Sequence, residues 1–395
     1  MSSLERKVNT IAGQVQYLKE KHIYLFYREL HSAQDTEMVE NGRKILMFGS
    51  NSYLGLTNHP RVKAAAIHAI EKYGTGVSGS RLLNGNLGIH RELEERLSAY
   101  LGKEDTAVFS TGFQANLGAL PPLLDRSSCL IMDKLSHASI IESATLSQAK
   151  KLKFEHNDVE SLSKIFSRID SDAFKIVVTE GIFSMDGDIA PLPEIVEVSR
   201  RNGAMVMVDD AHAIGVLGKN GSGSSSHFGI TDKVDVITGT FSKSLAALGG
   251  FVSGDRELIN LIKHTARALL FSAGLQPASV AAVMESLDII EEQPELIDHL
   301  WENTRYAIGQ LKSMGLDVGK AETPIIPIYV RDDQKTYTIA KRLYEDGVFI
   351  NPVVSPATSA DSALIRFSVM STHTKPQIDF ALGKIYDHAR LVNVI

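Results

Sequence analysis

The stretch "TGTFSKSLAALGG" places Lys243 in a turn of small polar residues, Thr240, Ser242 and Ser244, directly after the apolar run "VDVIT". Most lysines are solvated surface charges. One held just past a buried strand is different, because open α/β sheets bind ligands at the carboxyl ends of their strands. There a lysine sheds its proton readily and attacks carbonyl carbon, forming a Schiff base. Three other features sit at comparable places. "AMVMV" ends in Asp209-Asp210-Ala211-His212. A carboxylate at a buried strand end is able to keep a pyridinium nitrogen protonated, which makes such a ring an electron sink. A helix cap or a metal ligand would also explain Asp209, but no set of His and Asp partners has metal-ligand spacing. "STGFQANLGAL" opens a helix at Thr111 and Gly112, where free N–H groups suit a phosphate or simply mark a capped start. "KLSHASI" puts His137 in a polar turn after "CLIMD". A lone histidine is usually structural, yet an imidazole there is placed to stack on an aromatic cofactor.

A second candidate is the loop "YGTGVSGSRLLNGN", in which Gly74, Gly76 and Gly79 spell G-x-G-x-x-G. The dinucleotide-binding fingerprint needs a strand before these glycines and a helix after them. Here the preceding "HPRVKAAAIHAIEKY" is helical in pattern, and another turn follows. The glycines therefore read as permitting positive φ and close backbone approach, not as an NAD site.

The elements that must position these residues alternate. "DTAVFS", "SCLIMD", "FKIVVTE", "AMVMVDD" and "VDVITGT" are short, mostly β-rich runs; between them lie helical patterns such as "NLGIHRELEERLSAYLG" and "APLPEIVEVSRRNG". Such alternation predicts an α/β fold with a mainly parallel central sheet covered by helices. Before it, residues 1–30 read as an amphipathic helical arm, with Val8, Ile11, Val15 and Leu18 at roughly helical spacing. "KILMFGSNSYLGL" follows as a strand and turn. After about residue 275 come helices over 276–292 and 295–314, the strand "TPIIPIYVRD", a helix at 335–346, strands at "FINPV" and "ALIRFSV", and a helix from Lys375. The expected division is an arm and small segment at 1–59, a large domain at 60–275 and a smaller C-terminal α+β domain at 276–395.

Composition narrows the partners. A net charge of −6 gives no sign of the basic face that nucleic acid requires. The single cysteine, Cys129, excludes an internal disulfide, fits a reducing cytoplasm and sits in an apolar run as a buried strand residue would. No apolar stretch reaches the ~18 residues of a spanning helix.

In the order helix start, His, Asp-x-x-His, lysine turn, these features resemble the pyridoxal 5'-phosphate (PLP) enzymes of transferase fold type I, the aspartate-aminotransferase-like fold. More narrowly they resemble the α-oxoamine synthases, which join an amino acid to an acyl-CoA with loss of carbon dioxide. "SNSYLGL", "GTGVSGSR", "HASI", "VDDAHAIG", "GTFSKSLAALGG" and "IRFSVMSTHT" carry the likeness, which covers nearly the whole chain. "GRKILMFGSNSYLGLT", "EKYGTG", "EGIFSMDGDI" and "GVFINPVVSPA" are similar to the soluble bacterial branch that condenses L-serine with palmitoyl-CoA to 3-oxosphinganine. Sister branches condense glycine with acetyl-CoA or alanine with a pimeloyl thioester, and they share the catalytic motifs.

The resemblance implies a role for each position. Lys243 binds the cofactor covalently and acts as base, Asp209 pairs with the pyridinium nitrogen, and His212 hydrogen-bonds the phenolic oxygen. His137 stacks on the ring. Thr240 and the backbone at Gly112 and Phe113 hold the phosphate, joined by Ser272 from the other subunit, while Ser184 lies near the ring. Arg366 and Asn51 grip the substrate carboxylate. The glycine loop, with Gly76, Ser78 and Gly79, lies near the active site and a dimer interface, Ser78 on the substrate side. The implied assembly is a cytoplasmic homodimer with shared active sites and no metal, touching the inner membrane surface peripherally if at all.

Overall fold

A computed structural model describes residues 2–40, 42–170, 172–355 and 357–395. Two short strands come first, β1 (Glu37–Glu40) and β2 (Arg43–Met47). The next seven are β3 (Asp105–Phe109), β4 (Cys129–Asp133), β5 (Lys150–Phe154), β6 (Lys175–Glu180), β7 (Ala204–Asp209), β8 (Val236–Thr240) and β9 (Gly250–Gly254). They form one sheet in the order β3-β9-β8-β7-β6-β4-β5. All neighbours are parallel except those of β9, which runs antiparallel to both β3 and β8. The sheet is thus mixed with a parallel centre, in keeping with the expected class.

Both faces of this sheet are covered, as parallel strands require. Along β7, Val206 and Val208 face one apolar cluster and Met207 the other; along β8, Ile237 and Val236 divide the same way. This two-residue alternation explains why the runs read as continuously hydrophobic. Helices α1 (Ser3–Glu20), α2 (Pro60–Tyr73), α3 (Gly88–Leu101), α4 (Gly112–Leu123) and α5 (Ala138–Leu146) lead the helical set. α4 and α5 pack on one face through Ala115, Leu120 and Ile140. The helix Pro277–Glu292 packs on the other, burying Val280, Val283 and Leu287 beside Leu93 of α3.

Four strands follow: β10 (Ile325–Tyr329), β11 (Val348–Phe349), β12 (Asn351–Val353) and β13 (Leu364–Ser368). β10, β13 and β12 form an antiparallel sheet, while β11 joins β1 and β2. The run "FINPV" therefore splits at Ile350 and serves two sheets. The N-terminal arm also differs from its expected extent. α1 stops at Glu20 and not near residue 30, because His22 and Tyr27 adopt left-handed φ values of 55° and 53° that no helix continues through. α1 has a Ser2–Glu5 capping box and buries none of its residues.

Candidate active site

Strands β6, β7 and β8 end at one cavity of about 260 Å³, with Glu180, Asp209 and Thr240 on its wall. Lys243 enters from the turn after β8, His137 from the turn after β4, and Gly112 and Phe113 from the first turn of α4. The volume lies just below the ~300–1,000 Å³ of drug-sized ligand clefts, room for a small cofactor ring.

Each wall group has a fixed job in the local bonding. Thr111 Oγ1 accepts the Gln114 N–H at 3.0 Å, and Thr111 O accepts the Ala115 N–H. The N–H groups of Gly112 and Phe113 are left without an acceptor among the described residues, at the positive end of the helix. Gly112 is required there, since a Cβ would meet Thr240 Cβ at 2.6 Å. Asp209 is locked from two sides: Oδ1 accepts the Ala211 N–H at 2.9 Å and Oδ2 accepts Asn116 Nδ2 at 2.6 Å. Asn116 is oriented in turn by Thr238, whose hydroxyl donates to Asn116 Oδ1 at 2.9 Å. His137 caps α5, its Nδ1 accepting the Ser139 N–H, while its own N–H donates to Glu180 Oε1 at 2.6 Å. Its Nε2 therefore carries the proton when the ring is neutral.

His212 is buried, and its Nδ1 lies 2.7 Å from the Tyr53 hydroxyl. Arg366 Nη2 donates to that hydroxyl oxygen at 3.5 Å, and of the two acceptors facing the phenolic hydrogen, Nδ1 at 2.7 Å is much nearer than Asn51 Oδ1 at 3.4 Å. This arrangement leaves Nε2–H of His212 as a donor toward the cavity. Burial pushes the His212 pKa well below its usual value, Lys243 adding to the effect, and keeps the ring neutral. Burial likewise lowers His137. It raises Glu180 well above its usual value, with Asp209 contributing. For Lys243, burial outweighs the pull of Asp209 and Glu180 and brings the amine down to about 8.

Seven of the residues singled out from sequence thus line one cavity: Gly112, Phe113, His137, Asp209, His212, Thr240 and Lys243. Arg366 does not line it. The guanidinium is 6% exposed and lies beside the Tyr53 hydroxyl, donating from Nε to Ser184 O at 2.7 Å and from Nη1 to Ser368 Oγ at 2.9 Å. Asn51 joins this group through Tyr53, 3.4 Å away. Ser272 sits at one remove, its hydroxyl accepting from Gln114 Nε2 at 3.1 Å. Ser78 is exposed, away from the cavity wall, with a φ of 53°. The glycine loop follows α2, as its pattern predicts, and Gly79 faces Asn84 of its own chain, where a Cβ would fall 1.9 Å from Oδ1. Asn116, Glu180 and Tyr53 are the wall and support residues that sequence reading passed over. Asn116 had one available signal, its place one helical turn after Gly112.

The Aminotransferase class I and II family profile matches residues 43–385. The chain belongs to this family. Within it the chain is one of the α-oxoamine synthases. It is 52% identical over 371 residues, 94% of this chain and 93% of the other, to a serine palmitoyltransferase of Sphingobacterium spiritivorum. An 8-amino-7-oxononanoate synthase of Thermoanaerobacter pseudethanolicus is 40% identical over 396 residues, 100% of each chain. The solved serine palmitoyltransferase of Sphingomonas wittichii superposes with a TM-score of 0.96 at 35% identity, covering 100% of both chains. A further serine palmitoyltransferase structure, with PLP as internal aldimine, matches equally well, with a TM-score of 0.96 at 35% identity over 100% of both chains. No helix among the described residues is long and apolar enough to cross a membrane.

Proposed function

We propose that this chain is a PLP-dependent serine palmitoyltransferase. It condenses L-serine with a long-chain acyl-CoA, palmitoyl-CoA, and releases 3-oxosphinganine, CoA and carbon dioxide. One observation carries the reading beyond similarity. A lysine brought down to about 8, a doubly anchored carboxylate, a neutral imidazole and an unsatisfied helix N-terminus meet on one cavity. That donor set fits PLP: N–H groups and Thr240 for the phosphate, Asp209 for the ring nitrogen, His212 Nε2–H for the phenolic oxygen, His137 for the ring face and Lys243 for the aldehyde carbon.

Bound PLP supplies an electron sink that makes the serine Cα–H acidic and accepts electrons when carbon dioxide leaves. The chain's own groups do the rest. Asp209, held by Asn116 and Ala211, keeps a proton on the ring nitrogen. Lys243 Nζ, whose lowered pKa leaves a share of it unprotonated at neutral pH, takes the Cα proton and later returns one. Arg366 spends three donors on Ser184, Ser368 and Tyr53. The two N–H groups that remain form a fork for the serine carboxylate, with Asn51 beside it. Holding that carboxylate sets which Cα bond stands perpendicular to the ring, so the C–H bond breaks before the C–carboxyl bond.

The chain works as a homodimer. Phe271 and Leu83 are 80% and 78% exposed, and Phe113 and Leu248 at the cavity mouth are uncovered too, a set of apolar side chains that a second subunit would cover. Ser272 then reaches the partner's phosphate site, and the glycine loop with Ser78 lies between subunits. The setting is cytoplasmic, with α1 offering Leu4, Val8 and Ile11 to the inner membrane surface.

The test is a titration of the purified holo-protein with L-serine, L-alanine and glycine, read on the cofactor's absorbance, followed by palmitoyl-CoA and the product's mass. Serine should perturb the band most strongly, and the product should be 3-oxosphinganine. A preferred response to alanine or glycine, with the matching product, would assign the chain to a sister branch.

A further inference from the structure

Outside the cavity lining, a second, part-buried cluster beside a separate pocket links two segments that support the site. His156 lies in the turn after β5 between two carboxylates, with Nδ1 3.1 Å from Asp133 Oδ1 and Nε2 2.9 Å from Asp188 Oδ2. Asp133 is fully buried and Asp188 is 7% exposed. Asn157 adds its N–H to Asp133 Oδ2 at 2.9 Å and its side-chain amide to Asp188 Oδ2 at 2.8 Å. The His156 ring stands edge-on to Phe183, 4.4 Å between centroids. Burial alone would lower the imidazole's pKa, but the Asp133 and Asp188 carboxylates outweigh it and push it up to about 10. The ring therefore carries both protons at neutral pH and gives one to each carboxylate.

The two carboxylates lead to different parts of the site. Asp133 ends β4, and its Oδ1 accepts the Leu135 N–H at 2.8 Å while its carbonyl accepts the Ser136 N–H. Those bonds shape the turn that delivers His137. Asp188 closes the loop 182–189, where its carbonyl accepts the Phe183 N–H and Ile182 bridges Ile189. The same loop presents Ser184 O to Arg366 Nε at 2.7 Å. A continuous set of bonds thus runs from the His137 turn through Asp133, His156 and Asp188 to the loop that holds Arg366.

We infer that His156 is a positioning residue for the condensation: it ties the turn of His137 to the loop of Ser184 and so fixes the spacing between the imidazole at the cavity and the Arg366 guanidinium. The plainer role, a buried ion cluster that only holds the fold together, makes a different prediction. A fold-only cluster changes melting temperature and leaves substrate affinity in the folded protein alone. A positioning cluster changes affinity through Arg366, and the two residues then couple.

The inference rests on the proposed function, and the experiment separates the two. Holo forms of wild type, His156→Gln, Arg366→Ala and the double variant are titrated with serine, read on cofactor absorbance, with thermal melting and circular dichroism alongside. His156→Gln should weaken serine binding about tenfold, but by less than about twofold once Arg366 is already Ala, the non-additivity that shared action produces. A folded His156→Gln that binds serine as wild type does, or a loss of equal size in both backgrounds, overturns the positioning role. If His156→Gln does not fold, Asp188→Asn keeps the shape and still accepts from Nε2–H. It should weaken serine binding severalfold, and unchanged affinity there overturns the inference equally. A wild type that ignores serine would instead overturn the proposed function and this inference with it.

Discussion

Lys243 shows how little of a residue's chemistry lies in its type. A solvated lysine titrates near 10.4 and is almost wholly protonated at neutral pH. At the end of β8, burial brings this one to about 8, and the neutral amine becomes a substantial species. Capture of PLP by the apo-protein needs that neutral form. Its rate should rise about tenfold per pH unit below the pKa and level off past about pH 8. The measurement is cofactor absorbance after rapid mixing across a pH series; a break near 10 would show the amine to be ordinary. Lys243→Ala should lose covalent capture and turnover while melting close to wild type, and normal turnover by that variant would sink the mechanism. Lys243, Asp209, His212 and His137 were legible because each ends or closely follows an apolar strand. Asn116, Glu180 and Tyr53 were not, because their importance lies in contacts across long separations. Asn116 meets Asp209 93 positions away, and Tyr53 meets His212 159 positions away.

Among the elements, the strands with uniform apolar runs were legible and β1, β5 and β9 were not. β5, "KKLKF", sits at the sheet edge with lysines exposed, the usual protection of an edge strand and a poor hydrophobic signal. β9, "GFVSG", begins at a glycine because a Cβ on Gly250 would meet Gly112 Cα at 2.5 Å, so the demand for closeness erased the β-rich pattern. The join between β2 and the turn after β13 offers a test at this scale. His373 is 4% exposed and stacks on Phe48; its Nδ1 accepts the Met370 N–H at 2.9 Å, and its Nε2–H donates to Met47 O at 3.0 Å. Burial pushes its pKa down to about 3. The unfolded chain binds this proton near pH 6.5 and the folded chain only near 3, so the residue's contribution is present above about 6.5 and is lost as pH falls between those values, by about 1.4 kcal/mol per unit. Asp210, raised to about 7 by burial, acts in the opposite sense, since the folded state holds its proton longer. Total stability therefore mixes signs, and the informative quantity is the gap between wild type and His373→Gln. That gap should narrow from pH 7 to pH 4 in denaturant titrations; a constant gap would mean that His373 titrates alike in both states.

At the scale of the whole molecule, the cavity is walled by one chain but its surroundings look unfinished. Phe271 is 80% exposed beside Ser272, and Leu83 of the glycine loop is 78% exposed. The loop is bound to this same region, through the Ser80–Ala273 bridge and the bond from Gly274 N–H to Gly79 O. Ser272 is thus fixed on a rigid rim together with uncovered apolar groups. Its hydroxyl already accepts from Gln114 of its own chain, which leaves its own hydrogen to give away. Two assignments are open to that hydrogen, the chain's own phosphate site or the partner's, and symmetry separates them. Lys243→Ala and Ser272→Trp are each expected to be inactive alone. If a site combines Lys243 of one chain with Ser272 of the other, a mixed dimer contains one wholly normal site. Random exchange makes half the dimers mixed, so activity should recover to about a quarter of wild type. If Ser272 serves its own chain, every site in the mixed dimer carries one lesion and activity stays at zero. The measurement is turnover after co-refolding, with subunit exchange verified by differently tagged chains. Exchange without recovery would place Ser272 at its own chain's cavity, and the exposed rim would then be a contact surface that contributes nothing to the chemistry.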